Sequence, residues 1–206
     1  MNKKSFLTAG SLALAISTAT TAVYSAELEE IIVTAQKRAE SLQDVPISMS
    51  ALSGSTIKDN GIHSFQDLSG YVPNLEIAEN AVNTIITMRG IGIGSNQSFE
   101  QSVGIYVDGV HFGKSRQVRS GLFDVEQMEV LRGPQGILFG KNTLAGAINV
   151  TTASANVGDE FSGSIDVSQE SYNGQIVDAH IAGSVTDNLA LRFAIRDRTR
   201  DGHLNN

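Results

Sequence analysis

The sequence predicts a mixed α+β domain with short helices, followed by the first antiparallel strands of an incomplete transmembrane β-barrel. Three observations predict it. Residues 40–152 alternate short β-patterned and short helical runs, separated by Gly and Pro. Residues 161–199 switch to longer runs, apolar at every second position and polar or charged between, joined by short turns. A charge-free segment close to the N-terminus has the features of an export leader.

Composition sets the limits. The chain has 206 residues, 41% hydrophobic and 18% charged, which suits a globular domain with a remainder. It has no cysteine, so neither a disulfide nor a thiolate metal site is expected. The net charge of −7 lacks the basic face that nucleic-acid binding needs.

In the leader, Lys3 and Lys4 precede an uncharged stretch over residues 6–22. Val23 and Ser25 place small side chains at −3 and −1, predicting a signal peptide over 1–25 cleaved after Ser25. The stretch is too short and too rich in Ser and Thr for a membrane anchor, which needs about 20 apolar residues. Export then leaves a periplasmic, secreted or outer-membrane fate.

Next come Glu30, Ile31, Ile32, Val33, Thr34 and Ala35. Four consecutive β-branched residues, Ile31 to Thr34, favour extended backbone. An isolated strand is not stable. It either joins the protein's own sheet or pairs with another protein's edge, where main-chain hydrogen bonds supply the affinity.

Further along, residues 46–54 alternate as a strand, 55–60 form a short helix closed by Gly61, and Ser64 with Asp67 opens a second one ending near Gly70. Residues 84–88 are a strand leading into a Gly-rich loop. Residues 103–107 and 110–112 flank Asp108-Gly109, a hairpin turn. Residues 122–127 read as a turn or helix, 128–131 as a strand, 137–141 as one helical turn and 147–152 as a strand.

In the second region, Phe161, Gly163, Ile165 and Val167 share one face, as do Val177, Ala179, Ile181 and Val185, and Leu189, Leu191, Phe193 and Ile195. Arg192, Arg196 and Arg198 take the opposite face of the last strand. Lipid demands one apolar face, while a wet lumen accepts charge. A soluble sandwich also alternates, but three arginines on one strand face favour the barrel. Three strands do not close a barrel, and an open edge in lipid leaves backbone groups unpaired. The sequence is therefore expected to be a fragment or a truncated product.

One stretch carries a family resemblance. Leu122-Phe123-Asp124-Val125-Glu126-Gln127-Met128-Glu129-Val130-Leu131-Arg132-Gly133-Pro134-Gln135-Gly136, continuing through residue 150, resembles the plug signature of TonB-dependent outer-membrane receptors. Residues 103–110 and Met88-Arg89-Gly90 are similar to two further plug motifs, and residues 30–35 look like a TonB box. Phe139, Lys141 and Ala145-Gly146 depart slightly from the usual pattern. The resemblance implies a gated importer whose plug occludes a barrel of about 22 strands and is pulled through TonB. It implies box and tether over 26–39, plug over 40–155 and barrel start over 160–206. Residues 37–46 would give the tether a reach of roughly 33 Å when extended. Residues 30–35 would pair with TonB.

The resemblance also implies that Arg89 and Arg132 form ion pairs with barrel glutamates, a task suited to a permanently charged, bidentate donor. Gly90, Gly133, Gly136 and Gly140 would serve the turns of the plug. Ligand, most often a ferric siderophore in this family, would touch the outward loops 92–101 and 111–119, with Ser95, Asn96, Gln97, Phe112 and Arg116 as candidate contacts. A stand-alone periplasmic module that binds TonB without transporting is the alternative, opposed by the apolar strand faces, which would aggregate in water.

No enzymatic chemistry is expected. Gly136 to Asn142 lacks the phosphate-loop spacing. Gly90, Gly92 and Gly94 lack the βαβ frame of a dinucleotide site. The four histidines have no ligand spacing, so neither cofactor nor metal is anticipated.

Overall fold

The computed structural model describes residues 31–34, 38–80, 83–94 and 100–202. The leader, Glu30, Ala35, Ser95, Asn96 and Gln97 lie outside the described residues.

The centre is a five-stranded mixed sheet of β3 (Met49–Ser53), β6 (Val103–Val107), β7 (Val110–His111), β8 (Val125–Arg132) and β9 (Gly146–Thr152), in the order β3-β8-β9-β6-β7. Only the β6–β9 pair is parallel. Strand side chains alternate between faces, so the sheet has two unlike surfaces. On one, Val103, Ile105, Met128, Val130, Ile148 and Val150 pack with Ile57, Phe65, Leu68, Val72, Ile77, Ile86 and Met88. Burying each large apolar side chain is worth about 1.5–3 kcal/mol. On the other lie Tyr106, Leu131 and Ala147, with Met49 and Phe139 against them, and the polar Glu129.

Local signals explain the elements around this sheet. The Ser53 hydroxyl accepts from the Thr56 N–H at 3.2 Å and caps the helix Gly54–Asp59. Asp67 accepts from the N–H groups of His63 and Ser64, setting up the 3-10 helix Gln66–Gly70. Asp108 and Gly109 both adopt positive φ, giving the tight turn between β6 and β7.

Three elements differ from expectation. Leu75–Glu79 is a strand, β4, paired antiparallel with β5 (Thr84–Met88). Residues 122–127 are neither turn nor helix throughout: Asp124 bends at φ +50, and β8 begins at Val125 with an irregular register against β9. Part of the expected tether is structured, with Glu40–Ser41 forming β2 and a turn at residues 42–44.

The second region is a three-stranded antiparallel sheet of β10 (Ser162–Glu170), β11 (Gly174–Thr186) and β12 (Leu189–Thr199). The β10–β11 turn is centred on Tyr172 and Asn173, both at positive φ, with Gly174 already in the strand. Phe161, Ile165, Val167, Ile181, Leu191, Phe193 and Ile195 all point outward, from 50% to 76% exposed. The arginines of β12 turn the other way. This is the lipid-and-lumen division of a barrel wall, not a sealed sandwich.

Candidate functional site

The N-terminal run is docked on its own domain. Ile32–Val33, β1, pairs antiparallel with β2, and Leu42 N–H donates to the Ile31 carbonyl at 2.9 Å. Val33 is 1% exposed, whereas Ile32 stays open at 46%. The polar face of the central sheet receives the segment. Gln127 Nε2 donates to the Ile32 carbonyl at 2.9 Å. Glu129 Oε1 accepts from Thr34 N–H at 2.5 Å, and its Oε2 accepts from Asn149 Nδ2 at 3.0 Å. Of the two partners open to the run, the structure holds the protein's own chain. A strand tethered a few residues from a free edge meets that edge at high effective concentration.

Arg89 and Arg132 come together although 43 positions apart in the chain. Ser48 Oγ accepts from Arg89 Nη2 at 2.9 Å and from Arg132 Nε at 3.2 Å. Arg132 also donates to Ser50 Oγ and the Met49 carbonyl, each at 3.0 Å. Arg89 has φ +52, held by its N–H on the Asn74 carbonyl at 2.8 Å, and Gly90 follows at φ +78. Among the described residues neither guanidinium has an ion-pair partner. Gly133 has φ +102, and a Cβ there would stand 3.7 Å from Arg89 Nη1. Gly140 has φ +80, directly after the helical turn Gly136–Phe139. Gly136 meets no such demand, because its φ is ordinary and the space around it is open.

A third cluster joins the domain to the three-stranded wall. Arg192 makes a bidentate pair with Asp124 at 2.8 and 2.6 Å, both side chains under one-fifth exposed. Arg196 pairs with Asp178 on the neighbouring strand, donates to the Leu122 carbonyl and lies 5.3 Å from the Phe123 ring centroid. Lys58 reaches Asp166 at 2.6 Å. The sequence placed these arginines on a polar face. It carried no sign that Asp124 and Leu122 would be their partners.

Of the candidate ligand contacts, Phe112 is half-buried and packs against the core, and Arg116 is exposed on the 3-10 helix Ser115–Ser120. Among the described residues no group of acidic, His or Cys side chains could hold a metal ion. No described helix is long and apolar enough to cross a membrane, which says nothing of strands.

A mixed-sheet domain with a docked N-terminal strand, ion-paired to an antiparallel wall that is apolar outside, defines the class of plugged outer-membrane barrels. Comparison with known proteins gives the family. The TonB-dependent Receptor Plug Domain matches residues 41–147. The chain is 31% identical over 167 residues to the pesticin receptor of Yersinia pestis, covering 76% of this chain and 24% of that one. It is 27% identical over 192 residues to the iron-regulated outer membrane virulence protein of Vibrio cholerae, covering 84% and 28%. The crystal structure of the ferric yersiniabactin uptake receptor FyuA from Yersinia pestis superposes with a TM-score of 0.61 at 30% identity, covering 68% of this chain and 22% of that one. This chain belongs to the TonB-dependent receptor family, whose matched members are receptors rather than enzymes. It spans about a quarter of the length of the curated relatives it matches.

Proposed function

We propose that this chain supplies the plug and the first wall strands of an outer-membrane receptor that imports a scarce nutrient, a ferric siderophore, using energy delivered through TonB. The carrying observation is the two-sidedness of β10–β12. Their outward face is a continuous apolar surface, and their inward face is ion-paired to the domain through Arg192 and Asp124. An apolar band of that kind in water is an aggregation surface, and in lipid it is a wall. The substrate class is supported by the relatives, one described as a ferric yersiniabactin uptake receptor and another as iron-regulated.

In this reading residues 1–25 direct export, residues 30–35 leave their dock and pair with TonB, and residues 40–155 form the plug within a barrel that begins at residue 160. Arg89 and Arg132 face carboxylates of the barrel wall. Loops 92–101 and 111–119 meet the ligand, with Ser95, Asn96, Gln97, Phe112 and Arg116 in reach.

The chain has no cysteine, so single introduced thiols report cleanly. In outer-membrane preparations, nitroxides at Phe193→Cys and Ile165→Cys are expected to be accessible to oxygen and shielded from a water-soluble relaxing agent. A label at Ala194→Cys shows the reverse. Equal aqueous access at all three positions overturns the proposal.

A further inference from the structure

We infer that Ser48 is the third ligand of a carboxylate-binding seat formed with Arg89 and Arg132. The inference rests on the proposed role of the two arginines and adds a residue that no sequence motif marks.

A serine hydroxyl has two acceptor lone pairs and one proton to donate. At Ser48 both lone pairs are committed, one to Arg89 Nη2 at 2.9 Å and one to Arg132 Nε at 3.2 Å. The proton must therefore be given away from the two guanidiniums. Ser48 is exposed, and no hydrogen bond donated by its hydroxyl occurs among the described residues. Its backbone cannot swing aside, because its carbonyl accepts the Arg132 N–H at 2.9 Å.

Charge points the same way. One hydroxyl oxygen holds two guanidiniums side by side, and no acid lies within ion-pair distance of either among the described residues. Like charges brought together without a counter-ion repel. Arg89 additionally sits in left-handed backbone at φ +52, a conformation that non-glycine residues adopt only under constraint. Such an arrangement is retained when a partner anion repays it. The donors left over are N–H groups of both guanidiniums and the Ser48 O–H. A carboxylate, which only accepts and has two oxygens, satisfies a guanidinium fork and the hydroxyl together. Ser48 is thus a positioning residue for the arginines and a direct donor to the acid, which we assign to a side chain of the barrel wall.

The test uses the complete receptor in planar bilayers, reading the frequency of leak openings. Variants are compared at equal amounts of folded, heat-modifiable protein. Arg89→Gln with Arg132→Gln is expected to raise leak openings at least tenfold. Ser48→Ala is expected to raise them several-fold, and Ser48→Thr, which keeps the hydroxyl, restores the parent level. Adding Ser48→Ala to the double arginine variant changes nothing further, since the acid has already lost its seat. If the double variant leaks and Ser48→Ala does not, the Ser48 inference fails while the arginine reading stands. If Ser48→Ala adds its own leak on top of the double variant, Ser48 acts elsewhere and the inference fails. If the double arginine variant is tight, the arginine reading itself falls, and this inference with it.

Discussion

The Thr34 main-chain N–H donates to the buried carboxylate of Glu129 at 2.5 Å, across 95 positions of sequence. Glu129 is 1% exposed and takes further hydrogen bonds from Gln127 and Asn149, so the polar dock survives only while its donors stay in place. Releasing β1 removes the Thr34 donor from a buried anion, at a cost of about 1–3 kcal/mol. In the proposed reading, in which β1 leaves its dock to pair with TonB, that pairing has to overcome this cost. Glu129→Gln keeps the shape of the side chain and removes its charge, so capture of purified TonB is expected to tighten about fivefold, matching roughly 1 kcal/mol of lost docking. Ile32→Pro, which deletes a donor from the strand, is expected to lose capture. Unchanged affinity in Glu129→Gln would show that docking does not compete with the partner.

How much of this was legible beforehand depended on whether the signal was local. The strand character of residues 31–34 follows from four β-branched residues, and the hairpin at Asp108-Gly109 from turn chemistry. The face pattern of β10–β12 follows from strict alternation. Each needs only neighbours in sequence. What pairs with what was hidden. Glu129 reads as an ordinary solvated acid on a strand, because its partners lie at positions 34 and 149. The start of β8 was obscured by the bend at Asp124 and the irregular register that follows, which break the period-two pattern. β4 is hard to read from sequence because Leu75 and Ile77 give only two alternating apolar positions, just beyond the Pro73-Asn74 turn. The arginine pair came from motif resemblance, and the Ser48 that joins its members from the structure alone.

The Asp124–Arg192 pair predicts a measurable link between domain and wall. Asp124 sits at φ +50, which Asn also tolerates, so Asp124→Asn removes charge without backbone strain. With both side chains under one-fifth exposed, losing this bidentate contact is expected to destabilise the domain against urea by about 1–3 kcal/mol. Arg192→Lys is expected to behave like a loss, since an ammonium cannot reproduce the fork. A double-mutant cycle with coupling near zero would show that the two groups act independently.

Tyr106 predicts the alkaline behaviour. It is 7% exposed, and its hydroxyl donates to the Phe139 carbonyl at 2.5 Å. Burial pushes the phenol above its ordinary value. Above about pH 10 the unfolded chain releases this proton while the folded chain keeps it. The unfolded state then binds fewer protons, so stability is full below that pH and falls as pH rises toward the raised folded value. Tyr106→Phe is expected to lose about 1 kcal/mol at neutral pH through the orphaned carbonyl. It should also show a shallower alkaline decline in urea midpoint. Parallel pH curves for the two proteins would contradict a protonated, buried Tyr106.

The wall face offers the sharpest contrast between adjacent residues. Phe193 is 64% exposed on the outward side of β12. Ala194 lines the crevice between wall and domain together with Asp166 and Asp178. If the outward side meets hydrocarbon, an arginine there costs about 2–4 kcal/mol near the bilayer midplane. The same arginine one position along points into a polar space lined by paired acids and bases, among them Lys58, Asp166, Asp178 and Arg196, where charge is not excluded as it is in hydrocarbon. Phe193→Arg is therefore expected to lower the amount of folded receptor in the outer membrane several-fold, and Ala194→Arg to leave it near the parent level, both read by heat-modifiable migration. Equal tolerance at the two positions would mean that the apolar stripe faces something other than lipid, because no other environment of a barrel wall rejects charge on one side of a strand and admits it on the other.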